Sequence, residues 1–275
     1  MRRKRIRYDR VFLLMVIFLI LVTFLSAGIY RMWFYQAPRD NSLFYMDNGF
    51  INYSGEDIEL IHGIDVSSHQ GEIDWQRVAN TPVEFAMIRA GYRGGIEGLQ
   101  HQDEYFDQNM QQAAANGIKT GVYFYSSAIT MEELEQDAQL VLDMVSGYQI
   151  DYPIAFDMEI YDEVNGRINS LTMEEKTSFA LRFCEIMEEN GYQSMIYGNL
   201  DWLYSHLNFE EIQDKEIWYA AYLSIPQMND EFRMWQYTNT GQIDGISTEN
   251  DVVLVPLSRL DLCHQRRFFV PLASL

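Results

Sequence analysis

The chain has 275 residues, 48% of them apolar and 14% aromatic, so a sizeable core can form and global disorder is excluded. Its formal charge of −20 is uneven: residues 1–10 hold six basic side chains and one acid, a net of +5, which leaves −25 on residues 11–275. Such a body repels nucleic acid, two cysteines (Cys184 and Cys263) exclude a disulfide framework, and five histidines without metal spacing argue against a metal or other cofactor.

Residues 11–30 read VFLLMVIFLILVTFLSAGIY, 20 residues without a charge. That is about the length that crosses a hydrocarbon layer of roughly 30 Å as a helix. The basic cluster ahead of it stays cytoplasmic by the positive-inside rule, and the chain beyond Tyr30 is exported. Trp33, Phe34 and Tyr35 suit the interface just beyond. A cleaved signal peptide is the competing reading, but the run is long for one and Leu25-Ser26-Ala27 is a poor cleavage site. The expected layout is therefore a cytoplasmic tail (1–10), a transmembrane helix holding the lipid bilayer (11–30), a polar-mixed stalk (31–61), a main extracytoplasmic domain (62–258) and a short tail (259–275).

From residue 63 onward, short runs rich in Val, Ile, Phe and Tyr alternate with helical patterns. The predicted strands are 63–67, 83–92, 119–127, 152–160, 194–199, 216–222, 232–238 and 251–255. A helix over 103–116 puts Phe106, Met110 and Ala113 on one face and stops at Gly117. Thr130 with Glu133, and Thr172 with Glu175, are capping boxes that open two more helices; the second stops at Asn190-Gly191. Cys184 lies on the apolar face of that last helix, where a buried inert thiol is expected. Strand–helix alternation predicts a parallel sheet with helical crossovers. Helices become scarce after residue 200, and the domain is short for a full barrel of about 250 residues. The predicted fold is thus α/β, an irregular TIM-like β/α barrel lacking helices in its C-terminal part. An open doubly wound sheet is the alternative, though no GxGxxG turn supports it.

The strand over 152–160 is nearly all apolar until it ends in Asp157-Met158-Glu159. Residues i and i+2 of a strand point the same way, so both carboxylates project to one side. Crowding and partial burial raise one pKa and leave a protonated acid beside an ionised carboxylate, the pairing that glycosidic cleavage requires. Asp65 ends the first strand between apolar neighbours, and Asp251 begins the last. In a closed barrel those strands are adjacent, so all four acids can share one mouth. Asp251 equally suits an acid in the turn that opens its strand. Tyr125, Tyr197, Tyr222 and Trp235 are candidate sugar platforms, or else aromatics of the barrel wall.

Several segments together carry a resemblance. They are Gly63-Ile-Asp-Val-Ser-Ser-His-Gln-Gly-Glu-Ile-Asp-Trp75, Phe85-Ala-Met-Ile-Arg-Ala-Gly-Tyr92, Gly121-Val-Tyr-Phe-Tyr125, Phe156-Asp-Met-Glu159, Tyr197-Gly-Asn199 and Trp235-Gln-Tyr237. The chain resembles the glycoside hydrolase family 25 lysozymes, the N,O-diacetylmuramidases, from about residue 63 to 253. The resemblance implies cleavage of the β-1,4 bond between N-acetylmuramic acid and N-acetylglucosamine in peptidoglycan glycan strands. It implies that Glu159 protonates the leaving oxygen, that Asp157 stabilises a charged intermediate, and that Asp65 and Asp251 tune the pair. One departure is Val253, where the family often has Asn. A non-catalytic glycan-binding barrel and a chitinase-like hexosaminidase are the competing readings.

Overall fold

The computed structural model describes residues 12, 15–26, 40–56, 58–228 and 230–258. The chain forms two compact units, residues 1–40 and 41–275. In the first, residues 15–26 are helical with exposed apolar side chains. Its two hydroxyls are satisfied locally: Thr23 Oγ1 donates to the Ile20 carbonyl at 2.7 Å and Ser26 Oγ to the Thr23 carbonyl at 2.9 Å. No helix among the described residues is long and apolar enough to cross a membrane. The rest of the expected 11–30 span, and the two expected tails, lie outside the described residues.

The second unit opens with a hairpin, β1 (Phe44–Asp47) and β2 (Phe50–Tyr53). Asn48 and Gly49 both have positive φ, 49° and 84°, the backbone of a type I′ turn. Residues from Asn41 onward therefore fold with the main domain and are not a stalk, which corrects the boundary expected at 61. Phe44 and Ile51 are buried, and the Phe44 ring meets Trp235 edge-on at 5.6 Å. The hairpin signal, Asn-Gly between two short runs that each open on Phe, stands in the sequence.

Eight strands then close into a barrel: β3 (Ile58–Val66), β4 (Val83–Arg93), β6 (Lys119–Tyr125), β7 (Ile154–Asp157), β8 (Ser194–Asn199), β9 (Glu216–Ala220), β10 (Met234–Gly241) and β11 (Asn250–Ser258). All eight fall where predicted, with shifted ends. A short β5 (Gln100–Gln102) pairs antiparallel with β4; its three polar residues gave no strand signal. Neighbours from β3 to β10 are parallel, while β11 runs antiparallel to both β10 and β3 and closes the ring.

The three predicted helices form where their signals stand, and two short ones that were not predicted, Trp75–Val78 and Phe209–Ile212, join them. They are α1 (Trp75–Val78), α2 (Phe106–Ala115), α3 (Met131–Val145), α4 (Met173–Glu189) and α5 (Phe209–Ile212). Thr172 and Glu175 form the full capping box of α4. At α3 Thr130 caps Glu133, but the Glu133 carboxylate takes the amide of Ile129 instead of that of Thr130. Gly117 and Gly191 follow α2 and α4 with φ of 78° and 85°, a conformation that glycine adopts without strain. After α5 no helix crosses between barrel strands among the described residues, as expected. The hairpin covers part of that bare flank, packing on the outward faces of β3 and β10.

Period-two alternation sorts the barrel side chains. Ile64, Val66, Ile88, Phe124, Phe156 and Ile196 face outward to the helices, where Cys184 is also buried. Phe85, Met87, Tyr152, Met195, Trp218, Met234 and Val253 fill the interior. Phe85 stacks on Tyr152 at 4.4 Å, and any side chain at Gly63 would overlap the Phe85 ring. Val253 is fully buried in this apolar layer.

Candidate active site

Above the apolar layer, at the rim where the parallel strands end, the inward positions turn polar. Asp65 comes from β3, Arg89 from β4, Tyr123 from β6, Asp157 from β7, Gln236 from β10 and Asp251 from β11. Because β11 alone is reversed, its start lies at the rim where the others finish, and Asp251 pairs directly with Asp65. Glu159 lies two residues past the end of β7, and the alternation persists: Met158 is buried outward while Glu159 is partly exposed. The Tyr125 hydroxyl donates to the Glu159 carbonyl at 3.2 Å and tethers this turn. The structure thus brings together all four predicted acids.

Their electrostatics follow from burial and crowding. Asp157 is pushed well above the ordinary carboxyl range by burial, then by the charges of Glu159 and Asp65; Arg89 pulls the other way. Asp157 Oδ1 is buried without a hydrogen-bond partner among the described residues. Asp65 is raised by burial and by Asp251, and opposed by a hydrogen bond from Tyr123 and by Arg89. Glu159 is raised by burial and then by Asp251, and burial pushes Asp251 up to about 6. This set of acids therefore holds protons well above the pH at which free carboxylates lose them.

Among the described residues Arg89 is the cation that acts on this cluster, and sequence reasoning did not single it out. Its Nε donates to Asp103 Oδ2 at 2.9 Å and its Nη2 to Ser68 Oγ at 2.9 Å. Gln236 was likewise missed. It is 2% exposed, and its Nε2 donates to Asp65 Oδ2 at 3.0 Å. An amide set between the aromatics Trp235 and Tyr237 was the available signal.

The aromatic candidates separate. Tyr222 is 51% exposed at the rim and Tyr125 is partly exposed. Tyr197 is buried, with its hydroxyl bonded to Gln236 Oε1 at 2.9 Å. Trp235 is not a platform. It is fully buried on the outer face of β10, with its indole N–H donating to the Ala221 carbonyl at 2.9 Å. Alternation makes it and Gln236 point to opposite sides, so the inward place belongs to the amide.

The loops behind the rim are fastened by a buried ion pair. Arg93 Nη2 lies 2.8 Å from Asp137 Oδ1, and Arg93 also donates to the Gly98 carbonyl at 2.7 Å. Ser126 Oγ donates to Asp137 Oδ2 at 2.7 Å, and the Ser126 amide to the Asp157 carbonyl at 2.7 Å. Arg167 joins the third loop, donating to the Ser127 carbonyl and to Glu133 Oε1, both at 2.8 Å. The backbone at Asp157 is therefore held from Asp137, in the middle of α3. No group of three or more metal-ligating side chains is found among the described residues.

Comparison with known proteins agrees with this geometry. The model of "Glycosyl hydrolases family 25" matches residues 64–246. The uncharacterized protein YegX of Escherichia coli is 31% identical over 195 residues, 68% of this chain and 66% of that protein. The autolytic lysozyme of Clostridium acetobutylicum is 26% identical over 191 residues, covering 69% and 54%. The chain thus spans about two thirds or less of these relatives. Among solved structures, the modular autolysin LytC from Streptococcus pneumoniae in complex with a synthetic peptidoglycan ligand superposes with a TM-score of 0.65 at 25% identity, over 79% of this chain and 51% of that one. A family 25 glycosyl hydrolase from Bacillus anthracis gives 0.61 at 25% identity, over 74% and 91%. With a family model matched across two thirds of its length and the barrel to go with it, the chain belongs to glycosyl hydrolase family 25 and has a lysozyme-like fold.

Proposed function

We propose that this protein is a membrane-anchored muramidase that hydrolyses the β-1,4 bond between N-acetylmuramic acid and N-acetylglucosamine in peptidoglycan. The observation that carries the reading is the gathering of Asp65, Asp157, Glu159 and Asp251 at one rim, with Glu159 reaching the solvent side. Glu159 is the general acid: burial and a neighbouring charge keep its proton available, and it is placed to give that proton to the leaving oxygen and later to activate water. Asp157, buried below it, stabilises positive charge on the sugar. Asp65 and Asp251 tune the pair, and Tyr222 and Tyr125 offer faces to the glycan.

Residues 11–30 serve as a single-pass anchor with the basic N-terminus in the cytoplasm and the barrel outside. The support is the length and charge pattern of that segment. The decisive experiment is mass spectrometry of products from purified peptidoglycan. The wild type should release fragments with N-acetylmuramic acid at the reducing end, and Glu159→Gln about a hundredfold fewer in the same time while it remains folded. Identical product profiles would refute the assignment.

A further inference from the structure

Tyr161 follows Glu159 by two residues and is 66% exposed. Burial pushes the Tyr125 phenol up to about 12, against a hydrogen bond with Ser127; the Asp157 and Glu159 charges and the Tyr161 phenol add to it, so Tyr161 stands by the same mouth. Its ring is seated. It lies over Gly95, in the loop between β4 and β5, where an added Cβ would come within 2.7 Å of the Tyr161 Cβ, Cγ and Cδ1. Gly95 is itself buried, and the Arg167 amide donates to its carbonyl at 2.9 Å. The turn beyond Tyr161 is fixed as well. Asp162 Oδ1 accepts the Val164 and Asn165 amides at 2.8 and 2.7 Å, and the Asp162 carbonyl accepts the Gly166 amide at 2.9 Å.

An exposed phenol that wanders is ordinary surface. One held on a glycine seat beside an acid cluster has already lost the freedom that binding would cost, and it presents a flat apolar face with a polar tip. A pyranose ring carries a face of C–H groups that lies on such a surface. Glu97 on the seat loop, and Asp162 and Glu163 on the turn, place negative charge close by in the chain, which disfavours the carboxylates of a stem peptide. We propose that Tyr161 is the platform of an outlying glycan subsite, taking the face of an N-acetylhexosamine beyond the two sugars that flank the cleaved bond, and that Gly95 keeps it in place. Where the cleaved bond lies rests on the muramidase reading; the ring and its seat do not.

The test is a binding measurement on the full chain carrying Glu159→Gln, with glycan chains of two and of eight sugars, each prepared with and without stem peptides. Tyr161→Ala should weaken binding of the peptide-free eight-sugar chain about three- to tenfold and leave the disaccharide unchanged, while Tyr161→Phe should keep both. Gly95→Ala should weaken the long chain to a similar degree by pushing the ring off its seat, and should add nothing once the ring is gone in Tyr161→Ala. Unchanged affinity for the long chain in Tyr161→Ala, an equal loss for both lengths, a loss seen only with stem peptides attached, or no glycan binding at all would overturn the proposal. A wild type that holds the long chain through Tyr161 yet releases no product would sink the muramidase reading alone, so the two failures are distinguishable.

Discussion

Asp65 and Asp251 stand directly opposite each other across the antiparallel seam between β3 and β11 that closes the barrel. Like charges in that position repel, and burial raises both groups. The Asp251 carboxyl, at about 6 in the folded protein, binds its proton more tightly than in the unfolded chain. Its contribution to stability is therefore full below the unfolded value and is lost as pH rises through about 6. Asp251→Asn should accordingly be more stable than wild type at neutral pH, by roughly 1–3 kcal/mol, and equal to it in acid. Thermal melts across that pH range check this, and equal melting temperatures at neutrality would contradict it.

Glu159→Gln should lower glycan cleavage by about a hundredfold or more, the usual worth of a general acid. For the wild type, the raised Glu159 carboxyl keeps its proton further toward neutrality than a free glutamate does, so kcat should fall only as pH climbs past that point. Glu159→Gln should show no such limb in its residual rate.

The buried Trp235 and the half-exposed Tyr222 should behave in opposite ways. Trp235→Ala opens a cavity beneath the hairpin and should cost about 3–5 kcal/mol of stability. Tyr222→Ala removes a half-exposed ring, should change stability by at most roughly 0.5 kcal/mol, and should raise KM for glycan. Denaturant titration paired with kinetics separates the two.

Asp137→Ala strands Arg93 in a buried site and should destabilise the fold by about 3–5 kcal/mol. It should also loosen the turn bearing Glu159, because the Ser126 hydroxyl bonded to Asp137 and the Ser126 amide bonded to Asp157 belong to one residue. Hydrogen exchange at the Ser126 amide reads this directly.

The −25 on residues 11–275 should repel anionic walls. A version lacking the first 39 residues should remain in the soluble fraction, while the full chain should sediment with membranes. The shortened version should cleave walls better as salt rises toward about 0.15 M, where the Debye length is about 8 Å. Fastest cleavage at the lowest salt would contradict this reading.

Much of the site was legible because it rests on local rules. An acid pair closing an apolar strand, and an acid inside a short one, need only a period of two to be placed. Asp251 needed one more fact, the direction of β11, which sequence pattern does not carry. Trp235 was misplaced because an aromatic in a strand fits either face; its neighbour Gln236, the inward residue, takes its meaning from partners far off in sequence, on β3, on β8 and just past β9. The hairpin was overlooked despite Asn48-Gly49, since its apolar residues are few and its docking surface lies far along the chain at Trp235.

That docking has a consequence for what counts as a self-sufficient piece of this protein. The matched stretch, residues 64–246, omits β1, β2, most of β3 and all of β11. Cut to those limits, the ring would gape between β10 and β4, and Trp235 would lose the cover of Phe44. A fragment that keeps both the closed ring and the cover over Trp235 must begin near Asn41, upstream of every recognisable signature, so the residues that announce the family are fewer than those that complete its fold.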